Sequence, residues 1–145
     1  MRGSPRPRLP VMLALTACLA TAAMVSAGDV ADDVAVAFRD SSARAVRAFL
    51  PREGRVYVAL SVLDVEEGFV GSDQLYYLLD ALFKRAKTAA FEVTSADGRD
   101  ADTVFLHSIW RIDDGDGRER KIRLSITLSR DKGAWAIREL RGGRG

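Results

Sequence analysis

The chain has 145 residues, 22 basic against 20 acidic side chains, one histidine and one cysteine, and 48% of its residues are hydrophobic, which is material for one domain and too little for two. Its formal charge of +2 invites a nucleic-acid reading, but three of the basic residues (Arg2, Arg6 and Arg8) precede Gly28 in a stretch without acids, leaving 19 basic against 20 acidic residues in the remainder. Steering toward phosphates is not supported, and no nucleic-acid partner is expected.

Met1 to Arg8 is basic and proline-rich, Val11 to about Ala23 is apolar, and Val25-Ser26-Ala27 supplies small residues before Gly28. This order predicts a secretory signal over residues 1–27, a single working domain over 28–145, and a secreted or periplasmic location. The uncharged run of 17 residues from Val11 to Ala27 is alanine-rich and carries Thr16, Thr21 and Ser26. It falls short of the roughly 20 strongly apolar residues that a membrane span needs. A second processing route is open, because Leu15-Thr16-Ala17-Cys18 resembles the bacterial lipobox. Cys18 would then be lipidated and the protein would be a membrane-anchored lipoprotein, the one case in which a membrane is a partner. Against it, Leu19 to Val25 stays apolar where lipoprotein tethers are polar. With the cut before Gly28 no cysteine remains, which excludes disulfides, cysteine nucleophiles and thiolate metal sites together. The core of the remaining 118 residues must then hold the domain.

Two short helices are predicted first. Val30, Val34 and Phe38 recur at i, i+4 and i+8, Asp40-Ser41-Ser42 interrupts with good N-cap residues, and Ala45, Val46, Phe49 and Leu50 form the buried side of the second helix before Pro51 closes it. Arg55 to Asp64 alternates and is rich in β-branched residues, so a strand is expected, with Glu66-Glu67-Gly68 turning the chain. Ser72 opens a long helix to about Lys87, with Leu75, Leu78, Leu79, Leu82 and Ala86 on one face, Phe83 at its margin, and Asp80 placed to pair with Lys84. The period then changes to two. Ala90 to Ser95, Thr103 to Ile112, Lys121 to Ser129 and Ala134 to Leu140 read as four strands separated by Asp97-Gly98, Asp113 to Gly117 and Asp131-Lys132-Gly133, which favours antiparallel hairpins.

Ile122, Leu124, Ile126 and Leu128 alternate with polar residues and define a core face. A hairpin centred on Gly115 sets Leu106 opposite Leu124 and Val104 opposite Ile126, so that Val104, Leu106, Ser108 and Trp110 look inward while Phe105, His107 and Ile109 look outward beside Arg123. That strand is apolar on both sides, and a homodimer would cover its outer face.

The candidate chemistry is sparse. His107 has no neighbouring carboxylate by periodicity and reads as a sheet-surface histidine, so neither catalysis nor a metal site is expected of it. Asp113-Asp114-Gly115-Asp116-Gly117 looks like a calcium loop, but Ile112 and Arg123 stand where acids are required, and a hairpin turn accounts for it better. Tyr76 and Tyr77 lie on the polar side of the long helix, and Arg138, Arg141 and Arg144 with Gly142-Gly143 read as a frayed basic tail.

Two helices, a strand, a capped helix and an antiparallel meander form the element order of the nuclear transport factor 2-like cone fold. Gly68-Phe69-Val70-Gly71-Ser72-Asp73-Gln74 running into Leu78-Leu79 and Leu82-Phe83 resembles the pre-helix turn and third helix of small secreted bacterial domains of unknown function in that superfamily, and Trp135-Ala136-Ile137-Arg138-Glu139-Leu140-Arg141 resembles their final strand. The resemblance spans Asp29 to Arg141 and implies an α+β fold, with N-terminal helices packed on a curved, mainly antiparallel, cystatin-like sheet. Enzymes of the superfamily, among them ketosteroid isomerases, polyketide cyclases and dehydratases, work inside the cone. Its isomerases carry one aspartate near the entrance to the first strand and another on a later strand. Here Pro51-Arg52-Glu53-Gly54-Arg55 and the inward-facing Ser108, Trp110, Leu124 and Ile126 occupy those places, and neither expected aspartate is found. If the cone is open, Ser108, Trp110, Leu124 and Trp135 would line an apolar pocket. The expectation is therefore an exported, cofactor-free, non-catalytic binding or interaction module whose partner is a small apolar ligand or an envelope protein. The alternative is a small isomerase-, dehydratase- or cyclase-like enzyme using Ser108 or His107 with a tyrosine.

Overall fold

The computed structural model describes residues 27–100 and 102–145. Residues 1–26, which hold Cys18 and most of the expected secretory signal, lie outside the described residues. Helix α1, Ala27–Arg39, buries Val30, Val34 and Phe38 as their spacing requires. Helix α2, Ala43–Arg47, is a short turn opened by Ser42, whose Oγ accepts the Ala45 N–H at 3.1 Å. Replacing Ser42 by alanine is expected to cost about 1 kcal/mol, read as a lower urea midpoint at unchanged m-value. α2 stops short of Phe49 and Leu50, which were expected within it. The chain there leaves the helix to lie along the sheet, and the Phe49 carbonyl accepts the Ile137 N–H at 2.6 Å.

Strand β1, Arg55–Ala59, ends before Asp64, the expected limit, and gives way to a 3-10 turn, Ser61–Leu63. Val62 and Leu63 are both buried, which consecutive residues of a one-sided strand cannot achieve. Strand β2, Gly68–Gly71, replaces part of the expected turn and pairs antiparallel with β1, Val70 opposite Val56 and Phe69 opposite Tyr57. Helix α3, Ser72–Arg85, buries Leu75, Leu79, Leu82 and Phe83, so its apolar stripe is rotated toward Phe83, and Leu78 is only half-buried. The Asp80–Lys84 pair forms at 2.8 Å. Ser72 begins the helix but caps it with no side-chain bond; its hydroxyl donates instead to the Pro51 carbonyl at 2.6 Å and ties α3 to the entrance of β1.

Strands β3 (Lys87–Asp100), β4 (Thr103–Asp113), β5 (Glu119–Asp131) and β6 (Ala134–Arg144) complete a six-stranded sheet in the order β2-β1-β6-β5-β4-β3. All neighbours are antiparallel except β1 and β6, which run parallel. Asp97-Gly98, expected to turn the chain, stays in β3 opposite Phe105 and Val104. The β4–β5 register differs by two residues from the expected one, with Leu106 opposite Ile126 and Val104 opposite Leu128. An even displacement leaves every side chain on its own face, and Val104, Leu106, Ser108 and Trp110 are all buried. The helices cover this inner face, giving the curved α+β architecture that the element order implies.

Candidate functional site

The inner face of the sheet meets the helices at an aromatic cluster. The Phe38 ring stacks on Phe91 at 5.2 Å and meets Trp110 edge-on at 5.3 Å, and Phe83 lies 6.2 Å from Trp110. The Trp110 indole N–H donates to Thr88 Oγ1 at 2.9 Å, and the Thr88 hydroxyl donates to the Phe38 carbonyl at 2.6 Å. Thr88 stands at a register shift in β3. The irregularity lets one side chain satisfy both an indole and the last turn of α1.

Ser108 is 2% exposed, and its hydroxyl donates to the Leu124 carbonyl at 3.0 Å. It is the only buried polar side chain among the described residues. Of the four residues expected to line a pocket, the structure brings Ser108, Trp110 and Leu124 together as packed core. Trp135 lies toward the other end of the sheet, half-buried beneath the Arg130 guanidinium at 4.7 Å. It lines a cleft of about 440 Å³ with Leu50, Pro51, Arg52 and Arg138.

The opposite, outer face carries Phe105 and Ile109, both half-buried, and exposed His107. The expected neighbour of His107, Arg123, instead faces Ile109. His107 is opposite Ser125, whose Oγ lies 3.0 Å from its Nδ1. The displaced register is the reason. Farther along this face, Phe69 is 66% exposed and packs edge-on against Tyr57, with the Arg141 guanidinium 4.7 Å over the Tyr57 ring. The hydrogen bond from the Tyr57 hydroxyl to Glu67 holds its pKa above the ordinary phenol value, because ionisation would forfeit that donor beside a carboxylate.

A second cleft, missed by the sequence reading, lies where three distant segments meet. Leu60, Ser61 and Val62 after β1, Arg120 to Ile122 on β5, and Gly142 to Gly145 at the end of β6 enclose a cleft of about 460 Å³. Leu60, Val62 and Ile122 are its apolar floor. The expected frayed tail is in fact paired strand, with Gly142 opposite Leu124, Gly143 opposite Arg123 and Arg144 opposite Ile122. Its three arginines therefore diverge: Arg138 donates to Ser129 Oγ at 2.8 Å, Arg141 covers Tyr57, and Arg144 borders the cleft. Arg120 is paired with Asp114 at 2.8 Å, whereas Lys121 and Arg144 are in no ion pair among the described residues. The alternation of inward residues through Leu140 and Gly142 was the available signal for Arg144, hidden by glycines that read as a tail.

No protein-family model and no curated protein matches the sequence. Solved structures do match in shape. A DUF4783 family protein from Bacteroides uniformis superposes with a TM-score of 0.63 at 14% identity, covering 79% of this chain and 95% of that one. A ketosteroid isomerase-like protein from Erwinia carotovora atroseptica gives 0.64 at 17% identity over 85% of this chain and 97% of its own. An NTF2-like protein from Cytophaga hutchinsonii gives 0.58 at 11% identity over 81% and 93%. At such identities the likeness is one of fold.

Proposed function

We propose that this chain, a domain of nuclear transport factor 2-like fold, is an exported, non-catalytic binding module of a bacterial envelope. The fold accommodates both binding modules and small enzymes, and the observation that favours the former is the chemistry of its interior. Among the described residues no ionisable side chain is buried, and the one buried hydroxyl, Ser108, is committed to a main-chain carbonyl. Proton-transfer catalysis needs two groups converging on a dry site with suitable pKa values. The interior offers neither, and Phe38, Phe83 and Trp110 occupy its centre. The enzyme reading draws on the ketosteroid isomerase-like neighbour, and would require a tyrosine to work either with Ser108, whose hydroxyl is committed to the Leu124 carbonyl, or with His107, which is exposed on the outer face of the sheet. The leader over residues 1–27 supports export, and Cys18 offers lipid anchoring as the rival route.

Native mass spectrometry of the protein purified from its own cells tests the reading. A chain beginning at Gly28 that retains an unmodified small apolar molecule, or a partner protein at fixed stoichiometry, is the expected result. Turnover of a steroid or other apolar substrate that disappears in Ser108→Ala or His107→Ala protein would overturn the binding-module reading. A diacylglyceryl group on Cys18 would overturn release from the membrane.

A further inference from the structure

We infer that the cleft at the end of the sheet binds a single-chain amphiphile with an anionic head, a fatty-acid-like carboxylate, its chain on Leu60, Val62 and Ile122 and its head at Arg144 and Lys121. The inference rests on the binding-module reading and gives it a place and a ligand class. Four observations carry it. The volume of about 460 Å³ falls within the range of roughly 300–1,000 Å³ usual for small-ligand sites. The floor is built of three aliphatic side chains, which reward burial of an alkyl chain by removing apolar surface from water. The border is basic and not neutralised: Arg120 has Asp114, but Lys121 and Arg144 have no acidic partner among the described residues. Arg144 occupies the same inward parity of β6 as Leu140 and Gly142 and is paired with Ile122, so it borders the apolar floor, while Lys121, which alternates with Ile122 on β5, reaches the same cleft from the other face of the strand.

The cleft is separate from the interior of the cone. Its described lining comes from the 3-10 turn and its approach, from β5 and from the end of β6, with no residue of α1, α2 or α3. Arginine presents a planar fork that takes a carboxylate through two parallel hydrogen bonds, and such charge-assisted bonds are the stronger kind. A neutral apolar ligand would leave both cations without a counterpart. A cationic one would be repelled.

The test is calorimetric titration of the protein with dodecanoate, dodecan-1-ol and dodecyltrimethylammonium below their aggregation concentrations. Saturable one-to-one binding of dodecanoate is expected, weaker by about tenfold or more in both the Arg144→Glu and Lys121→Glu variants and weaker in high salt. Both positions are exposed, so the variants should keep the parent circular dichroism. Ser61→Trp, at an exposed position on the cleft wall, should block the chain without altering any charge. Dodecanoate binding indifferent to all three substitutions overturns the site, as does equal affinity for dodecan-1-ol or the ammonium. If the site fails while protein from its own cells still carries a retained apolar molecule, only this location is lost. If dodecanoate binds as expected but substrate turnover is found, the non-catalytic reading fails and the site remains.

Discussion

Trp110→Ala is expected to lower stability by about 3–5 kcal/mol, out of the roughly 5–15 kcal/mol that holds a typical domain folded. Trp110 is fully buried, touches Phe38 and Phe83 on two different helices, and donates its indole N–H to Thr88. Truncation therefore opens a cavity between α1, α3 and the sheet and also strands one acceptor of Thr88. Urea denaturation should show a large fall in midpoint, and exposed apolar surface should appear by dye binding if the loss exceeds the margin. Trp110→Phe separates the two effects. It keeps most of the ring packing and removes the hydrogen bond, so a loss of about 1–2 kcal/mol is expected. A loss as large as that of Trp110→Ala would mean that the hydrogen bond, not the packing, dominates.

Gly142→Ala should cost about 1–3 kcal/mol through overpacking. A Cβ at that position would collide with Leu60 Cδ1 and come within 3.1 Å of Ile122 Cγ2, and Leu60 is buried and has little freedom to withdraw. The neighbouring Gly143 supplies the control, because a Cβ there meets nothing within 4 Å. Gly143→Ala should change stability by no more than about 0.5 kcal/mol. Combining Gly142→Ala with Leu60→Ala should cost less than the two single losses together, since the second substitution removes the atom with which the first collides. Additive losses in thermal or urea unfolding would refute the steric account.

What the sequence shows is what repeats within one element. The long helix from Ser72, expected to run to about Lys87 and ending at Arg85, and the inward set Val104, Leu106, Ser108 and Trp110 follow from periodicity alone, and the latter survives a register two residues away from the expected one because faces alternate with period two. The short strand Gly68–Gly71 was illegible because two glycines leave only Phe69 and Val70 to signal it. Asp97-Gly98 carries turn chemistry but is held in the sheet by Phe105 and Val104 across the ladder, a tertiary override of local preference. The cleft could not be read at all. Leu60, Ile122 and Arg144 become neighbours only through the pairing of β6 with both β1 and β5, a long-range arrangement on which local periodicity is silent.

That same pairing orders events in time. β6 is the wedge that joins the β1–β2 hairpin to the β3–β5 meander, and its parallel partners in β1, such as Tyr57 and Glu139, are about 80 residues apart in the chain, so a large loop must close before they meet. Until it does, β1 and β5 each keep a bare edge, the kind of edge that recruits other chains. A nascent polypeptide of this sequence therefore carries two incomplete half-sheets from the completion of β5 until β6 has emerged and paired with both. The cleft, the closed core and protection from aggregation all arrive together with the final strand.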